Sequence, residues 1–395
     1  MRRLFAPLRP ESGHLLHLDA LRLIASAGIV IVHLSGLVDA GVWSKHFLFA
    51  TGPLTLFVDM FFAVSGFVIA FVYSDKIEDA RSYGSYLRKR LARLVPLHWA
   101  TLAILVLIGV LLQSRNIHIN HSEGYEWRCL PTNFLLLHST GLLCPNLSFN
   151  GASWSISAEM IMYFTAPALF WVMRRNVTAL GLMAAGIWLA LTLGTHGANA
   201  WYTWTWNGGF IRAIPSFIFG AWLFAVREAI SRVPFASVAF WLCVCGFLLG
   251  CCVGVPAIGL LLTLYLAVAF GIAADAQQRR SRIVSILAAG GQLTYSSYML
   301  HTLVIMMLLN GIADRILDTH GLARNLLVLI AFAMVWPVSY LSLVLFEKPA
   351  RRWLSGGKGK ASPSDNLDNL EAAGRFGIVA EAESRNVAHD SASKN

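Results

Sequence analysis

Ten apolar runs, each close to the ~20 residues that a helix needs to cross a hydrocarbon core, restrict this chain more than any other feature. They fall near 19–40, 53–73, 95–113, 153–173, 178–195, 210–226, 235–253, 255–273, 286–309 and 323–346. In lipid every backbone N–H and C=O must find its partner within the protein, and helices satisfy this segment by segment. Hydrophobic residues make up 56% of the 395 and charged ones only 13%, against about 25% charge in soluble domains. The expected fold is an all-α polytopic integral membrane protein with about ten transmembrane helices.

The charges lie mostly between the runs. "SDKIEDARSYGSYLRKRLAR" separates the second and third, with Arg88, Lys89, Arg90 and Arg93 close together. Arg174 and Arg175 follow the fourth run, Arg227 and Arg232 the sixth, Arg279, Arg280 and Arg282 the eighth, and "EKPARRW" the last. Every second connection is therefore basic, and the positive-inside rule places both termini in the cytoplasm. The net charge of +10 belongs to these loops, which argues against a nucleic-acid partner.

The first eleven residues, "MRRLFAPLRPE", are basic like the start of a signal peptide. The apolar stretch after them, about 18–38, exceeds the ~7–15 residues of a signal core. It is expected to remain as an uncleaved first span. Residues 1–353 read as one membrane domain, and 354–395, rich in Gly, Ser, Asn, Asp and Glu, as a disordered cytoplasmic tail. The longest outer connection, about 114–152, contains "NFLLLHSTGLL", too short to span and read as a re-entrant or interfacial piece. Cys129 and Cys144 lie in the same connection. Outside the cytoplasm they are expected to form a disulfide.

Polar residues inside the runs are the candidates for chemistry. In "LRLIASAGIVIVHL" Arg22 and His33 stand eleven positions apart. On a helix they lie within ~20° of one face and about 16 Å apart along the axis. Arg22 can snorkel to the membrane edge, whereas His33 reaches mid-membrane. Asp59 and Ser65 lie in "DMFFAVSGF", Glu159 in "WSISAEMIMYF", Arg212 in "GGFIRAIPSFIFG", His301 in "TYSSYMLH" and Glu347 in "FEKPARR". Ser65 is expected to bond back to its own helix. Several of the buried charges are expected to pair with one another.

These segments resemble the landmarks of membrane acyltransferase family 3, integral membrane O-acyltransferases that modify bacterial polysaccharides and Nod factors. "LDALRLIASAGIVIVHL" is similar to the opening motif, an Arg followed by His, and "FFAVSGFVIA" to the second-span motif. "YLRKRLARLVPLHW" carries an Arg-x-x-Arg pair, and "WSISAEMIMYF", "TYSSYMLH" and "FEKPARR" follow in order. Ala20 and Leu23 stand where the first motif often has glycines, and Met160 and Ile161 replace a polar pair after Glu159. The resemblance implies ten transmembrane helices in a bacterial inner (cytoplasmic) membrane. It also implies acyl transfer, by default acetyl, from cytosolic acyl-CoA to a polysaccharide or lipid-linked glycan, with no permanently bound cofactor or metal.

On that reading Arg22, Arg90 and Arg93 hold the phosphates of the donor. His33 and Glu159 are the catalytic candidates, and Arg212, Trp154 and His301 the candidate substrate contacts. Histidine suits proton transfer because its unperturbed pKa, ~6.5, lies near working pH. Whether His33 acts as a base or carries the acyl group itself stays open at this level. Two other readings also stay open: a secondary transporter with an intramembrane proton relay, and a structural His33 between packed helices.

Overall fold

The computed structural model describes residues 15–39, 41, 43–115, 124–144, 146–278 and 281–355. Among them nine helical segments are long and apolar enough to cross a membrane. These are α1 (Leu16–Ser35), α2 (Trp43–Tyr73), α3 (Ala80–Ser114), α4 (Gly151–Arg175), α5 (Val177–Gly194), α7 (Ala236–Val253), α8 (Ala257–Ala276), α9 (Arg282–Ile316) and α10 (Gly321–Leu354), while the apolar α6 (Gly209–Ala225) is shorter. All ten stand where the ten apolar runs place them. α6 is curtailed at its start, where Gly208 takes a left-handed φ of +87° and turns the chain sharply into the helix. Of the expected tail, 354–395, Leu354 is the last residue of α10, and residues 356–395 lie outside the described residues, as do Arg279, Arg280 and residues 1–14.

α3 runs for 35 residues, about 52 Å at the helical rise, against a hydrocarbon core of about 30 Å. Its surplus turns carry the Arg88–Arg93 cluster. A capping box starts the helix: the Ser82 N–H donates to Asp79 Oδ1 at 2.7 Å, and the Asp79 N–H donates to Ser82 Oγ at 3.0 Å. The hydrogen bonds from Ser82 hold the Asp79 carboxyl below its ordinary range.

α2 packs on α6 at backbone contact. Gly66 lies against the carbonyl of Phe217, and Gly220 against that of Ala63, so closely that a Cβ at either position would overlap it. Small residues allow this approach between membrane helices. The core around the contact contains Phe57, Phe67, Phe217, Phe240 and Phe247, all fully buried.

At the end of the bundle away from the Arg88–Arg93 cluster, the connection from α3 to α4 folds over the helices. Cys129 and Cys144 are joined by a disulfide. The apolar "NFLLLHSTGLL" forms no re-entrant helix. After one helical turn at Leu130–Phe134 it proceeds in turns, bridged to the α5–α6 connection through Thr140 and Asn207. His138, within this cap, is buried, with Nε2 3.0 Å from Ser153 Oγ. Burial, reinforced by the neighbouring His98, pushes its pKa down to about 3.

Candidate active site

α1 brings Arg22, and α3 brings Arg90 and Arg93, to one neck between two adjoining cavities. Arg90 and Arg93 share a face of α3 because they are three positions apart. The outer cavity, about 250 Å³, is lined by these arginines with Lys89, Glu347, Lys348 and Arg351. The inner one, about 100 Å³, is lined by the same three arginines with Ser65, Ser155, Glu159, Tyr163, Tyr295 and Tyr298. The outer space is therefore strongly cationic, and the inner one presents hydroxyls and a carboxylate.

The three guanidiniums are held differently. Arg90 is buried, donates from Nη2 to the Tyr73 hydroxyl at 2.8 Å, and lies 4.7 Å from the Tyr73 ring centroid. Arg22 donates from Nη1 to Asp19 Oδ1 at 3.2 Å, one turn back on its own helix. Arg93 is half-buried and makes no hydrogen bond to a described residue. Its planar fork of donors is open to an anion. Glu347 sits on a π-helical turn, Leu343–Glu347, and accepts from Ser296 Oγ at 2.5 Å and Ser342 Oγ at 3.0 Å.

The inner chamber centres on Glu159. Its Oε1 accepts from Ser65 Oγ at 2.6 Å and from the Tyr163 hydroxyl one turn along α4. The sequence-based expectation that Ser65 bonds to its own helix is therefore corrected. Gly66 seats one face of α2 on α6, which leaves the adjacent position, Ser65, facing α4. There a carboxylate offers a charge-assisted bond stronger than a helix carbonyl already engaged in its ladder. Tyr298 closes the chamber wall: its hydroxyl donates to the Ala152 carbonyl at 2.7 Å and accepts from Ser155 Oγ at 2.7 Å.

His33 and His301 form a pair of their own, with ring centroids 4.7 Å apart. His301 is buried and its Nδ1 lies 3.1 Å from the Ser297 carbonyl, which can only accept. Nδ1 therefore carries the hydrogen, and the bare Nε2 has no partner among the described residues. His33 is exposed. Neither histidine lines either cavity. Tyr298 connects them to the chamber, its ring 6.0 Å from that of His301. The shared face of Arg22 and His33 thus divides into two stations, one in the neck and one behind the Tyr298 wall.

Arg212 and Trp154 stand apart from both cavities. The Arg212 guanidinium closes on Asp59, donates also to the Thr55 carbonyl at 3.2 Å and the Trp204 carbonyl at 3.3 Å, and lies 5.2 Å from the Trp154 ring centroid. Sequence reasoning missed the Ser65–Glu159 contact and the tyrosines of the chamber. Glu159 and Tyr163, four apart on one helix, were the available signal.

A family model described as an acyltransferase domain matches residues 15–344. The chain is similar to "Acyltransferase MdmB" of Streptomyces mycarofaciens, 35% identical over 133 residues, covering 33% of this chain and 32% of that protein. It is also similar to "Protein 2 in picA locus" of Rhizobium radiobacter, 32% identical over 117 residues, covering 27% of this chain and 61% of that protein. The chain thus spans less than two thirds of either relative's length. No solved structure matches. With the family match running from the first residues of α1 into α10, the chain belongs to membrane acyltransferase family 3.

Proposed function

We propose that the protein transfers an acyl group, ordinarily acetyl, from cytosolic acyl-CoA to a hydroxyl of an exported or cell-surface carbohydrate. One observation carries the reading: Arg22, Arg90 and Arg93 line both the cationic outer cavity and the chamber that holds Glu159. Acyl-CoA has phosphates at one end of a long pantetheine arm and a thioester at the other. A guanidinium neck between a basic mouth and a chamber of hydroxyls suits both ends. The name of the Streptomyces relative supports the reaction class.

In this reading the loop charges orient the protein in a bacterial inner membrane, with termini and outer cavity on the cytoplasmic side. The acceptor, a polysaccharide or lipid-linked glycan, approaches from the opposite end. His33 takes the proton of its hydroxyl beside His301, while Glu159 serves the donor end. Arg212 and Trp154, packed on one another, support the helices beside the chamber. The family match weighs against a transporter.

The test is release of free CoA thiol by purified full-length protein, with glycan fractions as acceptors. Surface glycans of a deletion strain are compared with those of the parent by mass spectrometry. Thiol release and missing acyl groups are expected. Absence of CoA binding, together with unchanged glycans, would overturn the reading.

A further inference from the structure

We propose that Ser65 is a catalytic nucleophile that carries the acyl group as a serine ester between donor and acceptor. The inference rests on the acyl-CoA reading above and adds a covalent intermediate to it. Its basis is the pairing of Ser65 Oγ with Glu159 Oε1 at 2.6 Å in the inner chamber.

Five features fit a nucleophile better than a structural hydroxyl. Ser65 is only half-buried and lines the chamber immediately inside the arginine neck, where a thioester threaded from the outer cavity would arrive. Its hydroxyl hydrogen is directed at a carboxylate, the arrangement in which an adjacent base activates a weak nucleophile. Tyr163 donates to the same carboxylate oxygen and so holds the base in place from its own helix, while no described residue donates to Oε2. The backbone contact of Gly66 with Phe217 fixes the rotation of α2, so Ser65 is aimed rather than free. The three guanidiniums lining the same chamber offer cationic stabilisation to the oxyanion that develops on the thioester carbonyl.

In the first half-reaction Ser65 Oγ attacks the thioester carbon and its proton passes to Glu159. The C–O bond forms, the C–S bond breaks, and CoA leaves as a thiolate that takes a proton from water at the open mouth. In the second half-reaction the Tyr298 side chain swings aside and joins the two stations, and the acceptor hydroxyl attacks the serine ester, giving its proton to His33. The ester C–O bond to Ser65 breaks, and Glu159 returns its proton to Oγ. His33 then releases its proton to solvent, so atoms, charge and protons balance and no further reagent is required.

The experiment mixes purified full-length protein with acetyl-CoA carrying a labelled acetyl group, in the absence of acceptor, followed by denaturation and washing. Approximately one label per chain is expected, released by hydroxylamine and located by mass spectrometry on the peptide containing Ser65. Ser65→Ala should lose the label and at least ~100-fold of transfer, while still binding a fluorescent CoA analogue, which verifies its fold. Ser65→Cys should be labelled as a thioester, distinguished by faster release with neutral hydroxylamine. An unlabelled wild type that nevertheless transfers to acceptor would overturn the nucleophile and leave the acyl-CoA reading standing. Label on His33 or any other residue, or full transfer by Ser65→Ala, would do the same. Protein that neither binds CoA nor releases thiol would overturn both.

Discussion

Arg212 closes on Asp59 in a two-pronged ion pair in which Nη2 lies 2.6 Å from Oδ2 and Nε 3.0 Å from Oδ1. The side chains are 2% and 0% exposed, so the pair is removed from water. It joins α2 to α6 near the Gly66 and Gly220 contacts, and thereby fixes the helix that presents Ser65 to Glu159.

Arg212→Ala should therefore act on stability first. Removing one partner leaves a buried carboxylate uncompensated, at a cost of about 3–5 kcal/mol. Thermal unfolding in detergent should show the loss, and the apolar double variant Asp59→Leu/Arg212→Met should recover part of it. An unchanged unfolding midpoint for Arg212→Ala would remove the pair from any account of the fold.

Arg93→Ala should weaken CoA binding without destabilising the protein, because its guanidinium has no described hydrogen bond to lose. A charged hydrogen bond contributes about 1.5–3 kcal/mol, or roughly 10- to 150-fold in affinity. Arg93→Lys should recover only part, since an ammonium cannot bind a phosphate bidentately. Calorimetric titration with CoA decides the matter, and unaltered affinity would move the donor phosphates elsewhere.

His33→Gln should bind CoA normally and lose transfer by ~10²–10⁴. An amide preserves the volume and can hydrogen-bond, but it does not take a proton at working pH. The expected signature is missing glycan acylation at normal protein level. Near-wild-type turnover would return His33 to a structural role beside His301.

Stability of the cap over the bundle end should fall in acid. His138, held at about 3 by burial, is neutral when folded, whereas the unfolded chain protonates it below ~6.5. The unfolded state therefore binds more protons between these values, and stability is lost as pH falls from about 6.5 towards 3. The slope from one such group is at most about 1.4 kcal/mol per pH unit. Unfolding of His138→Gln, followed across this range, should show a flatter dependence than wild type.

How much of this was legible before folding can be seen by comparing residues. The positions of the ten helices could be read from the chain because lipid imposes a local rule. Each span must be about the bilayer's thickness, apolar, and internally hydrogen-bonded, and all three conditions are written in consecutive residues. Arg90 and Arg93 were legible as a pair for the same reason, since a spacing of three is a local property of one helix. Cys129 and Cys144 could be matched because only two cysteines lie in that connection.

What the tertiary structure decided is which polar side chains from different helices meet. Ser65 could bond to its own helix or to a neighbour, and only the seating of Gly66 on Phe217 turns it to Glu159, 94 positions away. Arg22 and His33 share a face by helical geometry, yet the packing of α9 places Arg22 in the neck and His33 against His301. Asp59 and Arg212 are 153 positions apart, and each alone is a charge that the membrane would reject. The sequence by itself determined the number and placement of the helices, because apolar length is additive along the chain. The partners of its buried charges were decided by how helices rotate and pack, a property that resides in no single segment.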